Sequence, residues 1–305
     1  MSLHQFITKD EIRQFVKFFT VDDDSDNDAP QNQIFLNVTK FVLDDIWPKT
    51  ASKLRFYCFP HDCPVYFFIV DENPLLFPFI VVRSPTSGHK IDLIHQVFPL
   101  LLKEIEDFLN KSGRFLLDAE LPIKKEVISL YCSGEHPIFS TDLDDDLNSN
   151  IFYMNASQLR KVKESKVVLP DGYELTEVND GEESDRLHSL WTYACSNDIT
   201  RQRIQHLPYA AIRSSNGEIV AWELTHNLGM LMYLHCLPEY RERGLGTAVE
   251  MRLAQTHLSK GFRVVKHVET ENTRVHNGTL RHPIWSVWKR DDIPVEWTNS
   301  IFNKI

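Results

Sequence analysis

The chain has little cysteine, and its few cysteines are not spaced for a structural role. Five cysteines in 305 residues give no disulfide framework. The closest pair, Cys58 and Cys63, has no second pair at the spacing of a zinc site. We therefore expect a protein of a reducing compartment that holds no metal.

Long apolar runs are also missing. The most apolar segments, CPVYFFIVD and LLFPFIVV, are far shorter than the ~20 residues needed to cross a bilayer. The first twenty residues have neither the apolar core of a signal peptide nor the Arg- and Ser-rich, acid-poor composition of a transit peptide. These features predict a soluble, cytoplasmic protein with no membrane partner.

A basic excess is absent as well, since the formal net charge is −10. Residues 151–305 contain 19 basic and 19 acidic side chains, which leaves 14 basic and 24 acidic side chains for residues 1–150. Phosphate neutralisation supplies most of the affinity of nucleic-acid binders, so we expect no nucleic-acid partner. The neutral second half could still hold an anionic ligand locally.

The composition is that of a globular protein, and the length suits two domains. In the first half, short β-branched and aromatic runs alternate with the amphipathic segment KIDLIHQVFPLLLKEIEDFLNK, which predicts an α/β domain. The acidic run TDLDDDLNSN at residues 141–150 has the composition of a linker. We therefore predict domains over residues 1–150 and 151–305.

The second half alternates strand and helix patterns in the order β-α-α-β-β-β-α-β-α-β, which predicts a mixed sheet. Asn216-Gly217 separates the strands PYAAIRSS and EIVAWELTH and is a favoured hairpin turn. The strand GMLMYLHCL then leads into the helix RGLGTAVEMRLAQTHLSKG, which Gly261 closes.

One turn in this half carries a chemical signal. Residues Arg241 to Gly246 (RERGLG) lie between a strand and the start of a helix. Glycines there let several backbone N–H groups point outward at a helix N-terminus, which is how proteins hold a pyrophosphate. The alternative is a tight turn whose glycines serve packing alone. The G-x-G-x-x-G pattern of dinucleotide-binding sites is absent near the start of the chain.

This turn resembles the signature of the GNAT superfamily of acyl-CoA N-acyltransferases, Q/R-x-x-G-x-G/A, which Arg241, Gly244 and Gly246 match. The segments VLPDGYELTEVND, LHSLWTY, IVAWEL, LPEYRERGL, VVKHVETEN and IPVEW resemble, in order, those of animal glycine N-acyltransferases. The resemblance implies a GNAT fold for residues 151–305. It leaves the first half as a second α/β domain or a degenerate copy of the same fold, and it leaves a mitochondrial location open.

The resemblance further implies an enzyme that transfers the acyl group of acyl-CoA to the amine of glycine or a similar small amino compound. By family position, the backbone of Leu234, His235, Cys236 and Leu237 would hold the pantetheine and the thioester. The pyrophosphate would contact Arg241 and the N–H groups of Arg243, Gly244, Leu245, Gly246, Thr247 and Ala248. Asn272 stands where the family often contacts the pantetheine arm, although an Asn after a strand is also a common helix cap.

This chain lacks the catalytic base at both positions where the resemblance would place one. Relatives carry a carboxylate at the position of Met230, and others carry a base at the position of Met232. With a two-residue loop at Asn227-Leu228, Glu223 would face Met232 and could replace the missing base, unless it is a solvated or ion-paired strand carboxylate. By the same parity His235 would point to the other face unless a bulge intervenes.

The proton donor for the leaving thiolate is also open. Many relatives have a Tyr in the final helix, where this chain has Thr279 and Leu280, and His276 is the nearby side chain that titrates in range. Two alternatives therefore remain, a non-catalytic or regulatory acyl-CoA-binding protein of GNAT fold and an acetyltransferase for amines without a carboxylate. The sequence does not fix the acyl chain, the acceptor, the role of the first domain or the oligomeric state.

Overall fold

We analysed a computed structural model, which describes residues 1–20, 30–85, 89–133, 135–141, 147–179, 181–191, 193 and 196–305. The strands are β1 His4–Phe6, β2 Lys53–Phe59, β3 Tyr66–Glu72, β4 Phe79–Arg83, β5 Arg114–Glu120, β6 Phe139–Thr141, β7 Leu147–Tyr153, β8 Tyr173–Thr176, β9 Tyr209–Ser214, β10 Ile219–Thr225, β11 Leu231–Cys236, β12 Val265–Glu269, β13 Ser286–Val287, β14 Lys289–Arg290, β15 Ile293–Pro294 and β16 Trp297–Lys304. The helices are α1 Lys9–Lys17, α2 Pro30–Leu43, α3 Ile91–Glu104, α4 Glu106–Ser112, α5 Leu121–Tyr131, α6 Ala156–Glu164, α7 Glu182–Ser189, α8 Asn197–His206, α9 Leu245–Ser259 and α10 Thr273–Arg281.

The main sheet is mixed and runs through both halves of the chain. Its central path is β1-β2-β3-β4-β5-β16-β7-β12-β11-β10-β9-β8. Alternate residues of the strands pack against helices on opposite faces. In the first half Phe56 and Ile69 belong to the cluster with α1 and α2, whereas Tyr57 and Phe68 belong to the cluster with α3, α4 and α5. The predicted α/β class with a mixed sheet is confirmed.

The second half follows the predicted order of elements from β8 to α10. Gly217, with φ +87°, closes the Asn216-Gly217 turn between β9 and β10. Gly261, with φ +73°, follows the end of α9. In the first half the predicted long helix is split at Ile105 into α3 and α4, because Ile105 leaves the helical region at φ −110° and ψ 12°.

The two halves exchange strands at the centre of the sheet. The final strand β16 pairs with β5 of the first half from Trp297↔Glu120 to Asn303↔Arg114. Strand β7, which crosses residue 150, pairs with β12 from Val265↔Tyr153 to Glu269↔Ser149. Of the linker predicted at residues 141–150, residues 142–146 lie outside the described residues. Residues 147–150 belong to β7, so for them the prediction of a linker is wrong. The division into domains at residue 150 stays a prediction.

Helix α2 of the first half anchors the hairpin between β10 and β11 of the second. The Asn37 amide donates to the carbonyls of Gly229, at 2.7 Å, and of Arg263, at 2.9 Å, and its oxygen accepts from the Arg263 N–H at 2.7 Å. A Cβ on Gly229 would come within 2.3 Å of the Asn37 Cβ. This contact fixes how closely the hairpin approaches α2.

Candidate functional site

The turn from β11 to α9 has the backbone of an anion site. Glu242 and Gly244 both lie in the left-handed region, with φ +64° and +78°, on either side of Arg243. Gly244 is the N-cap of α9, and no side chain caps the helix. Alternation of this kind turns successive N–H groups toward one point, where the helix dipole also favours negative charge.

Three N–H groups at the start of α9 have no carbonyl partner within the helix, because an α-helix leaves its first donors unpaired. They belong to Leu245, Gly246 and Thr247. The sequence analysis also placed the Ala248 N–H at the pyrophosphate, and this is wrong, since that group donates to the Gly244 carbonyl at 3.0 Å. Apart from chain neighbours and the backbone of α9 itself, no atom of the described residues lies within 4 Å of a Cβ built on Gly244 or Gly246, so a ligand can approach the backbone.

Strands β11 and β12 diverge beside this turn. They are parallel, and Leu231↔Lys266 is the registered pair within residues 196–305, all of which the structure describes. Beyond it, the edge of β11 that faces β12 has no strand partner. Leu234 is exposed, and His235 and Cys236 are half-buried. Leu237 differs, since it is buried and its N–H donates to the Val220 carbonyl at 2.9 Å.

The two arginines of the turn are exposed but tethered. Arg241 Nε donates to the Cys236 carbonyl at 2.9 Å. Arg243 donates to the Tyr173 hydroxyl at 2.7 Å and to the Glu239 carbonyl at 3.0 Å. Both guanidinium groups therefore add positive charge at the mouth of the opening between β11 and β12.

The predicted register of the β10–β11 hairpin is wrong by one residue. The loop has three residues, Asn227 to Gly229, because Gly229 adopts φ +76° and the His226 N–H donates to the Met230 carbonyl at 2.8 Å. Leu224, rather than Glu223, therefore pairs with Met232. Glu223 points to the opposite face of the sheet.

Glu223 lies beneath the sheet, in a charged cluster with Glu250 of α9 and Lys266 of β12. It is 1% exposed, and burial, followed by the charge of Glu250, raises its pKa well above the ordinary value. Lys266 donates to Glu250, whose other oxygen accepts from the Trp285 indole at 3.1 Å. Glu223 therefore does not face Met232, and the prediction that it replaces the missing base there is not supported.

A β-bulge in β11 turns His235 to the face of the sheet opposite to that of Glu223. Between the pairs Trp222↔His235 and Leu224↔Met232, two residues of β11 oppose one of β10. Tyr233, at φ 58°, is the strained residue of this bulge. The bulge that the sequence analysis left open is therefore present, and His235 faces the same side as Met232. Burial, and less strongly Arg241, lower the pKa of His235, which keeps the ring neutral at pH 7.

The surroundings of Cys236 do not favour the thiolate that a nucleophilic cysteine needs. Burial raises the pKa of its thiol, so little thiolate forms at neutral pH. An acyl-enzyme on Cys236 is disfavoured, which suits direct transfer to an amine.

The residues after β12 serve mainly local structure. Asn272 is the N-cap of α10, and its side chain accepts from the Val275 N–H at 3.4 Å. His276 Nε2 lies 2.8 Å from Asn150 Oδ1. Thr279 is buried and Leu280 is exposed.

The sequence analysis did not single out two buried polar side chains near this site, His267 of β12 and Asp118 of β5. They lie on the face of Met230 and Met232, with His267 Nδ1 4.0 Å from Asp118 Oδ1. Strand parity in VVKHVET would have placed His267 on that face. No pattern in the neighbouring sequence predicts the strand exchange that brings Asp118 to this face of the sheet.

No helix among the described residues is both long and apolar enough to span a membrane. In the same part of the chain, no group of three or more His, Cys, Asp and Glu side chains could hold a metal ion.

Comparisons with known proteins agree with this geometry. A family model described as FR47-like protein matches residues 209–277, which run from β9 into α10. Glycine N-acyltransferase of Bos taurus is 25% identical over 247 residues, which cover 73% of this chain and 83% of that protein.

Solved structures share the fold. A Drosophila protein superimposes with a TM-score of 0.68 at 15% identity, over 97% of both chains. A tandem GNAT protein from the clavulanic acid biosynthesis pathway gives a TM-score of 0.52 at 13% identity, over 98% of both chains. The chain therefore has a GNAT-type fold in a two-part arrangement and resembles the glycine N-acyltransferases in sequence.

Proposed function

We propose that the protein is an acyl-CoA-dependent N-acyltransferase that acylates the amine of glycine or a similar small amino compound by direct attack. The observation that carries the proposal is the opening between β11 and β12, which ends at a glycine turn with unpaired N–H groups. The resemblance to the glycine N-acyltransferases supports acyl transfer. A cytoplasmic location remains part of the proposal.

The residues present fit a CoA thioester. The N–H groups from Arg243 to Thr247 would hold the pyrophosphate, and Arg241 would add positive charge. The unpaired edge of β11 from Leu234 to Cys236 would hold the pantetheine, which carries amides able to pair as an added strand does. The bound thioester supplies an electrophilic carbonyl carbon.

One observation favours a second candidate, a non-catalytic acyl-CoA-binding protein. Met230 and Met232 are apolar where relatives place a base, and Glu223 faces away from them. A thioester held there with no proton acceptor nearby would be bound and not consumed.

An acceptor screen separates these functions. Purified protein is incubated with acetyl-CoA or benzoyl-CoA and with glycine, other amino acids, an aralkylamine or a polyamine, and thiol release is followed. Turnover with glycine or another amino acid supports the proposal. Turnover confined to amines without a carboxylate would show that the acceptors are amines of that class and not amino acids. A rise in melting temperature with CoA but no turnover supports the binding protein, and no rise at millimolar CoA contradicts both.

A further inference from the structure

A histidine lies near the end of β11, where that strand has separated from β12. His235 precedes Cys236, the last residue of β11, and it lies beyond the registered pair Leu231↔Lys266. Its backbone belongs to the unpaired edge that would hold the pantetheine and the thioester. The imidazole is therefore attached beside the place where the acyl carbon would lie.

The β-bulge of β11 determines which side of the sheet this imidazole occupies. In the pairing with β10, His235 is opposite Trp222, and Met232 is opposite Leu224. Trp222 and Leu224 are two residues apart and share a face, so their partners on β11 also share it. Without the extra residue of the bulge, His235 would face the side of α9. The bulge thus places an imidazole on the side where Met232 supplies no base.

The His235 ring is held in place, but its nitrogens are open. The ring stacks on the Trp222 indole, which restricts its rotation. Among the described residues, neither ring nitrogen of His235 has a hydrogen-bond partner, and neither is sealed from solvent. Both nitrogens of His267, on the same face, are sealed. The half-buried His235 is therefore the imidazole of this face that a small amine can reach.

Other titratable groups near the opening are less suited to take a proton from an amine. His267 is enclosed, and Glu223 lies under the sheet. His276 Nε2 lies 2.8 Å from Asn150 Oδ1, which occupies that nitrogen.

One carboxylate competes with His235 for the role of base. Glu269 of β12 faces the same side as His267, because the two residues are two positions apart. It is half-buried, and one of its oxygens accepts from the Tyr193 hydroxyl at 3.0 Å. That bond ties the carboxylate to the segment after α7, whereas the nitrogens of His235 have no such partner. An experiment must still separate these two groups.

We propose that His235 is the general base of acyl transfer. This inference rests on the proposed function. As the neutral amine nitrogen bonds to the thioester carbonyl carbon, an N–H proton moves from that nitrogen to a ring nitrogen of His235. The carbon–sulfur bond then breaks, and its electron pair stays on sulfur. The imidazolium gives the proton to the thiolate, which leaves an amide, a thiol and neutral His235.

The charge of Arg241 connects this base to the bound thioester. Arg241 Nε donates to the Cys236 carbonyl at 2.9 Å, which holds the guanidinium close to the residue after His235. Burial, and then the charge of Arg241, lower the pKa of His235, so the ring is neutral before the reaction. The negative charge of a pyrophosphate at the turn would offset that of Arg241 and so stabilise the imidazolium. His235 would therefore be a stronger base with the thioester bound than without it.

The test compares kcat and KM for His235→Gln, His235→Phe and the wild type, each as the full chain. The substrates are acetyl-CoA or benzoyl-CoA and the acceptor that gives the most turnover in the screen. Phenylalanine keeps a ring against Trp222 but has no nitrogen, so this variant separates the chemistry of the imidazole from its packing. We expect kcat to fall ~10²- to 10⁴-fold in both variants, with the rise in melting temperature on adding CoA retained. His95→Gln, which removes an imidazole from α3 in the first half, is the control and should keep the kcat of the wild type.

Rescue by imidazole gives a second measurement. His235→Ala leaves a gap beside Trp222, and free imidazole should restore part of the activity of this variant without raising that of the wild type. Folded His235→Gln and His235→Phe that keep kcat within threefold of an active wild type overturn the inference and leave the proposed function standing. In that case, a fall of roughly 100-fold in the kcat of Glu269→Gln would assign the base to β12. A wild type that turns over no acceptor overturns both the base and the proposed transferase.

Discussion

The imidazole of His235 stacks on the indole of Trp222, with ring centroids 4.7 Å apart and planes inclined by 22°. This contact exists because the bulge at Tyr233 adds a residue to β11 between the two registered stretches of the hairpin. The bulge turns His235 toward Trp222. Glu223, which lies between Trp222 and Leu224 on β10, points to the other face.

The first prediction concerns Glu223. Because it faces Glu250 and Lys266, Glu223→Gln should leave kcat within threefold of the wild type. Its raised pKa means that the folded state binds more protons than the unfolded state above pH 4.5. Relative to the variant, the wild type should therefore lose ~1.4 kcal/mol of unfolding free energy per pH unit above pH 4.5, until the buried carboxyl ionises.

Urea unfolding at pH 5 and pH 7, with thiol-release kinetics, checks this prediction. Glu174→Gln on the exposed face of β8 is the control and should show no such pH-dependent difference. A 100-fold fall in the kcat of a stable Glu223→Gln would return Glu223 to the catalytic site.

The parts of the site that the sequence predicts are local. The glycine turn, the Asn216-Gly217 hairpin and the helix that follows each depend on residues close together in the chain. The hairpin register depended on a third loop residue, Gly229, and on a bulge at Tyr233, and neither changes the hydrophobic pattern. The placing of Asp118 beside His267 requires β16 and β7 to exchange between halves, and such pairing has no short-range signature.

The second prediction tests the ligand turn. Gly246 has helical backbone with open space around it, so Gly246→Val adds bulk without strain where a pyrophosphate would lie. The wild type should gain ~2.7 kcal/mol at CoA a hundredfold above Kd, and Gly246→Val should lose most of this gain. Gly278→Val, an open glycine of α10, is the matched control for thermal-shift titration. An undiminished shift in Gly246→Val would place CoA elsewhere.

The third prediction addresses the contact between the halves. Gly229 and Gly217 both have positive φ, but only a Cβ on Gly229 would meet another atom within 4 Å, the Asn37 side chain. Gly217→Ala should cost ~1–2 kcal/mol for its left-handed backbone. Gly229→Ala should cost a further 1–3 kcal/mol, roughly, for overpacking. Equal losses in denaturant unfolding would mean that α2 moves away freely from the hairpin.

The fourth prediction concerns His257, which is fully buried in α9 with its Nε2 2.7 Å from the Thr225 hydroxyl. Burial lowers its pKa to about 4, so between pH 6.5 and 4 the unfolded chain binds a proton that the folded chain does not. Stability from this residue is therefore present above pH 6.5 and is lost as the pH falls. Relative to His257→Gln, the wild type should lose ~1.4 kcal/mol per pH unit across that window.

The comparison with a variant is needed because other buried groups act in the opposite direction. Burial raises the pKa of Asp71 to about 6 and that of Asp118 to about 7, so both favour the folded state as the pH falls. Those contributions are common to the wild type and His257→Gln, and the difference between the two unfolding free energies removes them. Denaturant unfolding at pH 7.5, 6 and 5 measures that difference. A value that does not change with pH would show that the pKa of His257 is the same in the folded and the unfolded protein, and would contradict the prediction.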